Sequence, residues 1–326
     1  MYTNTAAEFR PELQVKVEEA IGIDSKFIAE QIFPIYPVNT RKGYYKKIKR
    51  GKGQLLAMPG TTGADDPLKR APGTAYAEIT RSFEQTSWLC VDRGLEEAMD
   101  DVNKQEESRF FDLESSTAVW LMRNMRISRE ARIAAIVQNP TLWGSTSVGT
   151  AFTEANLATF DAPAAFIAAT ALIDKRGEDV NTAVISRTLK DLILRSASMR
   201  QYFFGNNGGN AALTLQMVAE RFGLNQILVG NASYDTTKPG KDATDSSLVY
   251  TWSNDYIWFG NVQGGAPEMG GAGRTFVLED LTEGNLFVTE TYREEKIRSD
   301  RLRVRQDEDV NTVNELSGTL VKVNNL

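Results

Sequence analysis

Histidine is absent from all 326 residues, and cysteine occurs once, at Cys90. The first absence excludes Ser-His and Cys-His nucleophile pairs, a histidine general acid or base, and any metal site with a histidine ligand. The second excludes an intrachain disulfide. Long apolar runs are also missing. None approaches the ~18 residues that span a bilayer, so no membrane contact is expected. The opening, MYTNTAAEFR, lacks the charged-then-apolar order of a signal peptide, and production in the cytoplasm is expected. Positive charge is in deficit, with 37 Lys and Arg against 43 Asp and Glu and a net charge of −6. A dedicated nucleic-acid-binding domain would carry the opposite sign. Enzyme chemistry with Asp, Glu, Lys or Tyr stays open.

What is present is ordinary for a folded protein: 41% hydrophobic and 25% charged residues, over a length that suits two domains. The dominant stretch is 111–139, FDLESSTAVWLMRNMRISREARIAAIVQN, free of proline and glycine. Ala118, Leu121, Met122, Met125, Ile133, Ile136 and Val137 recur at helical spacing, Asp112 is placed to cap, and Pro140 ends the run. A helix of that length spans ~40 Å. Arg123, Arg126, Arg129 and Arg132 recur every third residue. Such a row spirals around a helix, so pairing with Glu130 and with other segments is expected rather than a DNA-facing stripe.

Before this helix, 41–52 holds seven basic residues in twelve: Arg41, Lys42, Lys46, Lys47, Lys49, Arg50 and Lys52. A Gly/Pro/Thr-rich segment follows, and alternation resumes from Ala75. We read 41–88 as a long two-stranded excursion that cannot bury itself and needs a surface elsewhere. Its basic strand either docks on an acidic or phosphate surface or is an edge kept soluble by charge. Residues 92–102, DRGLEEAMDDV, read as a short amphipathic helix with an acidic face of Glu96, Glu97, Asp100 and Asp101. After 144–149 a second module alternates helix and strand. It has helices from Asp161 to Gly177, from Ser186 to Tyr202 and after Thr214, and strands at 182–185, 226–233, 248–252, 256–262, 274–278 and 286–292. The loop 263–273, with five glycines in eleven residues, is expected to be mobile. The tail returns to extended structure. Neither GNNGGN (205–210) nor GGAGRT fits a phosphate-binding loop, and no motif calls for a cofactor or metal.

The order of these parts resembles a specific family. Phe33-Pro34 to Val38, the RAPGT step at Arg70 to Thr74, the helix–strand–helix from Thr182 to Phe222 followed by NQILVG, and the tail IRSDRLRVRQDEDV carry the likeness. Together they resemble the major capsid proteins of tailed bacteriophages, with the Hong Kong 97 type fold. The resemblance implies an α+β chain in five parts. These are an N-terminal arm (1–38), an extended loop (39–88), a peripheral domain with a spine helix at 111–139 (89–149), an axial domain (150–295), and C-terminal strands returning to the peripheral domain (296–326).

The resemblance also implies a structural, non-enzymatic protein of the virion, assembled in the host cytoplasm. Its copies would form hexamers and pentamers of an icosahedral shell around double-stranded DNA, touching that DNA nonspecifically. Arg41, Lys42, Lys46, Lys47, Lys49, Arg50, Glu96, Glu97, Asp100 and Asp101 are the expected intersubunit contacts. The arm begins almost at Met1, so a separate scaffolding protein is expected, beside a portal and decoration proteins. No Lys/Asn/Glu set matches a cross-linking site. The rival readings are an encapsulin-like cargo shell and an α/β enzyme using the loop from Gly205 to Asn210.

Overall fold

The computed structural model describes residues 7–23, 26–48, 70–76, 83–107, 112–205, 212–238, 240–242, 244, 247–279 and 286–324. In chain order the elements are β1 (Glu8–Phe9), α1 (Pro11–Ile23), α2 (Ala29–Ile32), β2 (Ile35–Val38), β3 (Lys42–Ile48), β4 (Phe83–Leu89), β5 (Val91–Asp100), α3 (Asp101–Glu107), α4 (Leu113–Val137), α5 (Pro140–Trp143) and β6 (Ser145–Ser147). Then follow α6 (Ala162–Lys175), β7 (Thr182–Ser186), α7 (Arg187–Arg195), α8 (Ala197–Phe204), α9 (Leu215–Arg221), β8 (Gln226–Gly230), β9 (Ser233–Asp235), β10 (Leu248–Tyr250), β11 (Tyr256–Gly260), β12 (Gly273–Leu278), β13 (Val288–Glu294), β14 (Ser299–Thr312) and β15 (Gly318–Lys322).

The long helix forms as its pattern predicts. The Asp112 carboxylate accepts from Ser115 N at 3.2 Å, and Pro140 opens α5 instead of extending α4. Its buried face serves two separate cores. Ala118, Leu121, Met122 and Met125 pack with Leu13 and Val17 of α1 and with Leu302 and Val304 of β14. Two turns on, Ile133, Ala134 and Val137 pack with Ile28, Ile32 and Phe33 and with Trp143, Trp252 and Trp258. The arginine segment lies between.

Two sheets flank this beam. The first is organised on β14, whose one edge pairs with β5 over Ser299 to Glu308. Its other edge pairs with β13 and then with β12; β1 adds to β13, and β2 runs parallel to β12. The second sheet has the order β6-β15-β11-β7-β8. Val184, Leu228, Trp258 and Leu320 face the α4 end, while Ala183, Ile185, Ile257, Phe259 and Val321 face the layer of α6 to α9.

Several expectations change. Residues 92–102 are not an acidic helix: 91–100 is a strand, every residue of which pairs with β14. Spacing that suited a helix also suits half-exposed alternation, and a ten-pair ladder outweighs local preference. The expected single helix from Ser186 to Tyr202 breaks at Ser196. Its buried hydroxyl donates to Ile193 O at 2.8 Å and caps α8 at Met199 N. The tail divides between the sheets, β14 to the first and β15 to the second, because Leu320 and Val321 each need a covered face. β12 and β13, grouped by sequence with 150–295, belong to the β14 sheet. The glycine loop 263–273 is pinned, not loose. The fully buried Arg274 donates to the carbonyls of Gly264, Gly265, Gly270 and Gly273 at 2.8–3.2 Å. Residues 206–210 of GNNGGN lie outside the described residues.

Gly230 shows how tightly the two modules meet. A Cβ there would lie 2.2 Å from the Trp252 ring, itself buried and tethered through its indole N–H to Glu130 at 2.7 Å. Gly230→Ala is expected to cost about 1–3 kcal/mol in equilibrium denaturation. Gly149→Ala, which meets open space, should leave stability unchanged.

Candidate functional site

Three consecutive carboxylates, Asp307, Glu308 and Asp309, sit on β14. Side chains alternate across a strand, so Glu308 points one way and its two neighbours the other. Glu308 is fully buried under α4. It accepts from Arg129 Nε at 2.8 Å and from Gln306 Nε2 at 3.1 Å, and it pairs with Arg132. Arg129 also donates to Thr275 Oγ1 at 3.2 Å, and Glu30 lies 3.3 Å from Arg126 Nε. Arg126 covers the Phe27 ring at 4.5 Å. The helix arginines therefore pair with Glu30 and Glu308. Glu130, the partner expected from sequence, is engaged elsewhere, accepting from Ile28 N, Ala29 N and Trp252 Nε1 at 3.2, 2.9 and 2.7 Å. Burial pushes its carboxyl above the usual range, against the opposing effect of these donors and of Arg129.

The opposite face of β14 roots the hairpin. Asp307 accepts from Arg41 Nη2, and Asp309 from Leu89 N, each at 2.9 Å. Tyr45 donates to Thr312 O at 3.0 Å, and Lys47 pairs with Glu315 at 2.6 Å. Trp88 stacks on Phe276 with centroids 5.2 Å apart and planes within 7°, and Tyr45 packs on the same ring. Gly43 is required here, since a Cβ would lie 2.1 Å from the Trp88 ring. Burial, with Asp309 and Glu315 nearby, pushes Tyr45 up to about 12. Burial and the acidic neighbours push Cys90 up to about 11. Neither group ionises near neutrality, and the pairs at this root are anchors rather than reactive groups.

No family model matches the chain, and no curated protein matches it. Solved structures do. A phage-related protein from Bordetella bronchiseptica RB50 is similar at TM-score 0.68 and 19% identity, over 98% of each chain. The capsid of cyanophage P-SCSP1u is similar at TM-score 0.58 and 13% identity, over 92% of this chain and 89% of that one. A virus-like particle from Pyrococcus furiosus is similar at TM-score 0.56 and 8% identity, over 96% and 99%. This chain has the α+β fold of the tailed-phage capsid proteins.

Within that capsid fold, the charged residues singled out from sequence are placed as follows. Arg41 and Lys47 are engaged inside the chain, at the hairpin root. Lys42 and Lys46 are exposed on β3, and Lys49 and Arg50 lie outside the described residues. Glu96 accepts from Arg301 at 2.9 Å and from Tyr292 at 3.0 Å. Asp101 takes Arg293 through both oxygens, at 2.6 and 2.8 Å. Asp100 accepts from Val102 N at 3.2 Å, and Glu97 is exposed on β5. Within one chain Arg41 and Lys47 pair with Asp307 and Glu315, not with the acidic set. Sequence reasoning missed Glu308 and Arg274. The only available signal for Glu308 was a run of three acids inside an otherwise alternating strand.

Removing the buried carboxylate strands two arginines. Glu308→Ala is expected to cost about 3–5 kcal/mol in denaturant unfolding, whereas Glu97→Ala should change little. A pH effect also follows. Burial raises Glu290, but Arg305 and Arg303 outweigh it and hold the carboxyl below its usual range; Lys104 and Arg293 do the same for Asp300. Hydrogen bonds from Arg293 hold Asp101 low. The stability these groups supply is complete above the unfolded carboxylate range, about pH 4, and is lost as pH falls through the folded values. The Tm should hold down to about pH 5 and then fall. A Tm that rises on acidification would mean that Glu130, shifted the other way, dominates.

Proposed function

We propose that this chain is the shell subunit of a tailed-phage head, assembling into hexamers and pentamers that enclose double-stranded DNA. The observation that carries the reading is fold likeness along nearly the whole chain to phage proteins, including the cyanophage capsid. The hairpin supports it. Strands β3 and β4 are fastened to the body near Arg41, Tyr45 and Trp88, and they lead away from that root toward residues 49–82 with each other as strand partners. A ribbon built this way needs a neighbouring surface. The net charge of −6 suits loose, nonspecific contact with packaged DNA. A separate scaffolding protein and a portal are the partners proposed for this role, and decoration proteins are compatible with it. The role is mechanical and uses no catalytic group.

A second reading, an encapsulin-like cargo shell, is supported by the likeness to the virus-like particle from Pyrococcus furiosus. Particles purified with and without the neighbouring packaging genes separate the two. Particles that fill with DNA support the head; particles that instead retain a protein cargo support the alternative.

Ile48 pairs with Phe83, so residues 49–82 can be replaced by an Asn-Gly turn without disturbing the root. The parent should give closed particles by negative-stain microscopy, with scaffold supplied if required. The shortened chain should stay folded and soluble and form none. A parent that remains a monomer under all these conditions would sink the shell reading, and normal particles from the shortened chain would sink the role of the hairpin.

A further inference from the structure

Helix α6 is apolar on both sides. Ala165, Phe166, Ala169 and Ile173 enter the core, but Ala164, Ile167, Ala168 and Ala171 face outward, and Ile167 is 47% exposed. Charge enters this face only at the helix ends, at Asp161 and at the exposed Asp174 and Lys175, and an apolar stretch of this length between them is normally covered. The uncovered side of α6 borders two adjoining hollows of 310 and 390 Å³ that share Asp161 and Ala164. One runs to Ser147 of β6 and the other to Tyr202. Among the described residues, Asp161 is the one charged residue lining either. The groove thus lies at the β6 end of the five-stranded sheet.

The opposite end of that sheet is β8, and from it the chain leads directly into the β9–β10 ribbon. Tyr234, Leu248, Val249 and Tyr250 are all exposed there, Leu248 at 52%. Val249 pairs with Tyr234 and Leu248 with Asp235, so apolar side chains occupy both faces of a ribbon only three pairs long. Such a ribbon is marginal alone. Its base is nonetheless fixed, by Thr251 N donating to Ala232 O at 2.9 Å and by Trp252, held over Gly230 and tied to Glu130. The ribbon and the connection between its strands carry the exposed Asp235, Lys238, Lys241 and Asp242.

We infer that the β9–β10 ribbon of one copy seats in the α6–β6 groove of the next copy, and that this contact closes the ring of subunits. The inference rests on the shell reading above. A projecting apolar element and an apolar groove stand at opposite ends of one rigid sheet, four strand spacings or roughly 19 Å apart. One copy cannot bring them together. When one ribbon fills one groove, a groove and a ribbon remain open on the pair, so the contact repeats head to tail, as ring-forming contacts do. Charge does not drive the fit, since Lys238 and Lys241 are offset by the exposed Asp235 and Asp242 of the same segment; the match is one of apolar surface. An acidic or basic foreign peptide would find little in a groove with a single carboxylate.

The test uses the full chain with Ile167→Glu, which spoils the groove, and Leu248→Glu, which spoils the ribbon. Both positions are exposed, and circular dichroism should show the parental fold in each. By native mass spectrometry and microscopy, each variant alone should lose rings and shells, its self-association weakened by about tenfold or more. Mixed together, the two should give a heterodimer that grows no further, because one intact ribbon and one intact groove remain. Parental assembly by either folded variant, or a mixture without heterodimer, overturns the contact. Hydrogen exchange on the unaltered protein gives an independent readout. Assembly should protect both 162–171 and 233–250, and an assembled shell that protects neither overturns the contact while leaving the shell reading intact. If the parent never assembles, both fall.

Discussion

The structure depends on burying one carboxylate, Glu308, in the middle of its longest strand. Removing a carboxylate from water costs several kcal/mol unless hydrogen-bonded cations replace the solvent. Arg129 and Arg132 do so from α4, and their spacing of three residues places both guanidinium groups over the same strand position. The helix therefore cannot slide along β14 without stranding the charge. A greasy contact alone would tolerate such a slip, since Met122, Met125, Leu302 and Val304 could repack.

That fixed register is passed to both ends of the molecule. Because strand side chains alternate, Asp307 and Asp309 emerge on the far face of β14 and hold Arg41 and the backbone of Leu89 at the hairpin root. On the helix, the residue after Arg129 is Glu130, which gathers the backbone of α2 and the indole of Trp252. Trp252 in turn sets the base of the β9–β10 ribbon. One short polar network thus orients the hairpin, the helix and the second sheet relative to one another.

Much of the charge is also used inside the chain. Arg41, Lys47, Glu96 and Asp101, chosen as contacts between copies, all find partners inside the chain. Long alternating charged strands pair with themselves when they fold into one sheet, as the Arg301, Arg303 and Arg305 ladder does with Glu96, Glu290 and Glu294. Exposed apolar surface remains on the outer face of α6 and on the ribbon around Leu248.

Local patterns in the sequence determined the elements whose stability is local. The helix at 113–137 with its Asp112 cap, the helix opened by Asp161 and Pro163, and the buried strand at 182–186 all follow from spacing and capping chemistry that a neighbour or two can satisfy. The order of parts also made the capsid fold legible, through a hairpin without a core and a beam between two modules. Only the tertiary structure decided what needs a distant partner. The segment 91–100 became a strand because β14 offered ten pairing positions some two hundred residues away. The glycine loop became rigid because Arg274, buried without a carboxylate, recruits four of its carbonyls. Asp307, Glu308 and Asp309 look alike in sequence. Their separate roles arise only when a strand's alternation sends one toward a helix and two toward a hairpin.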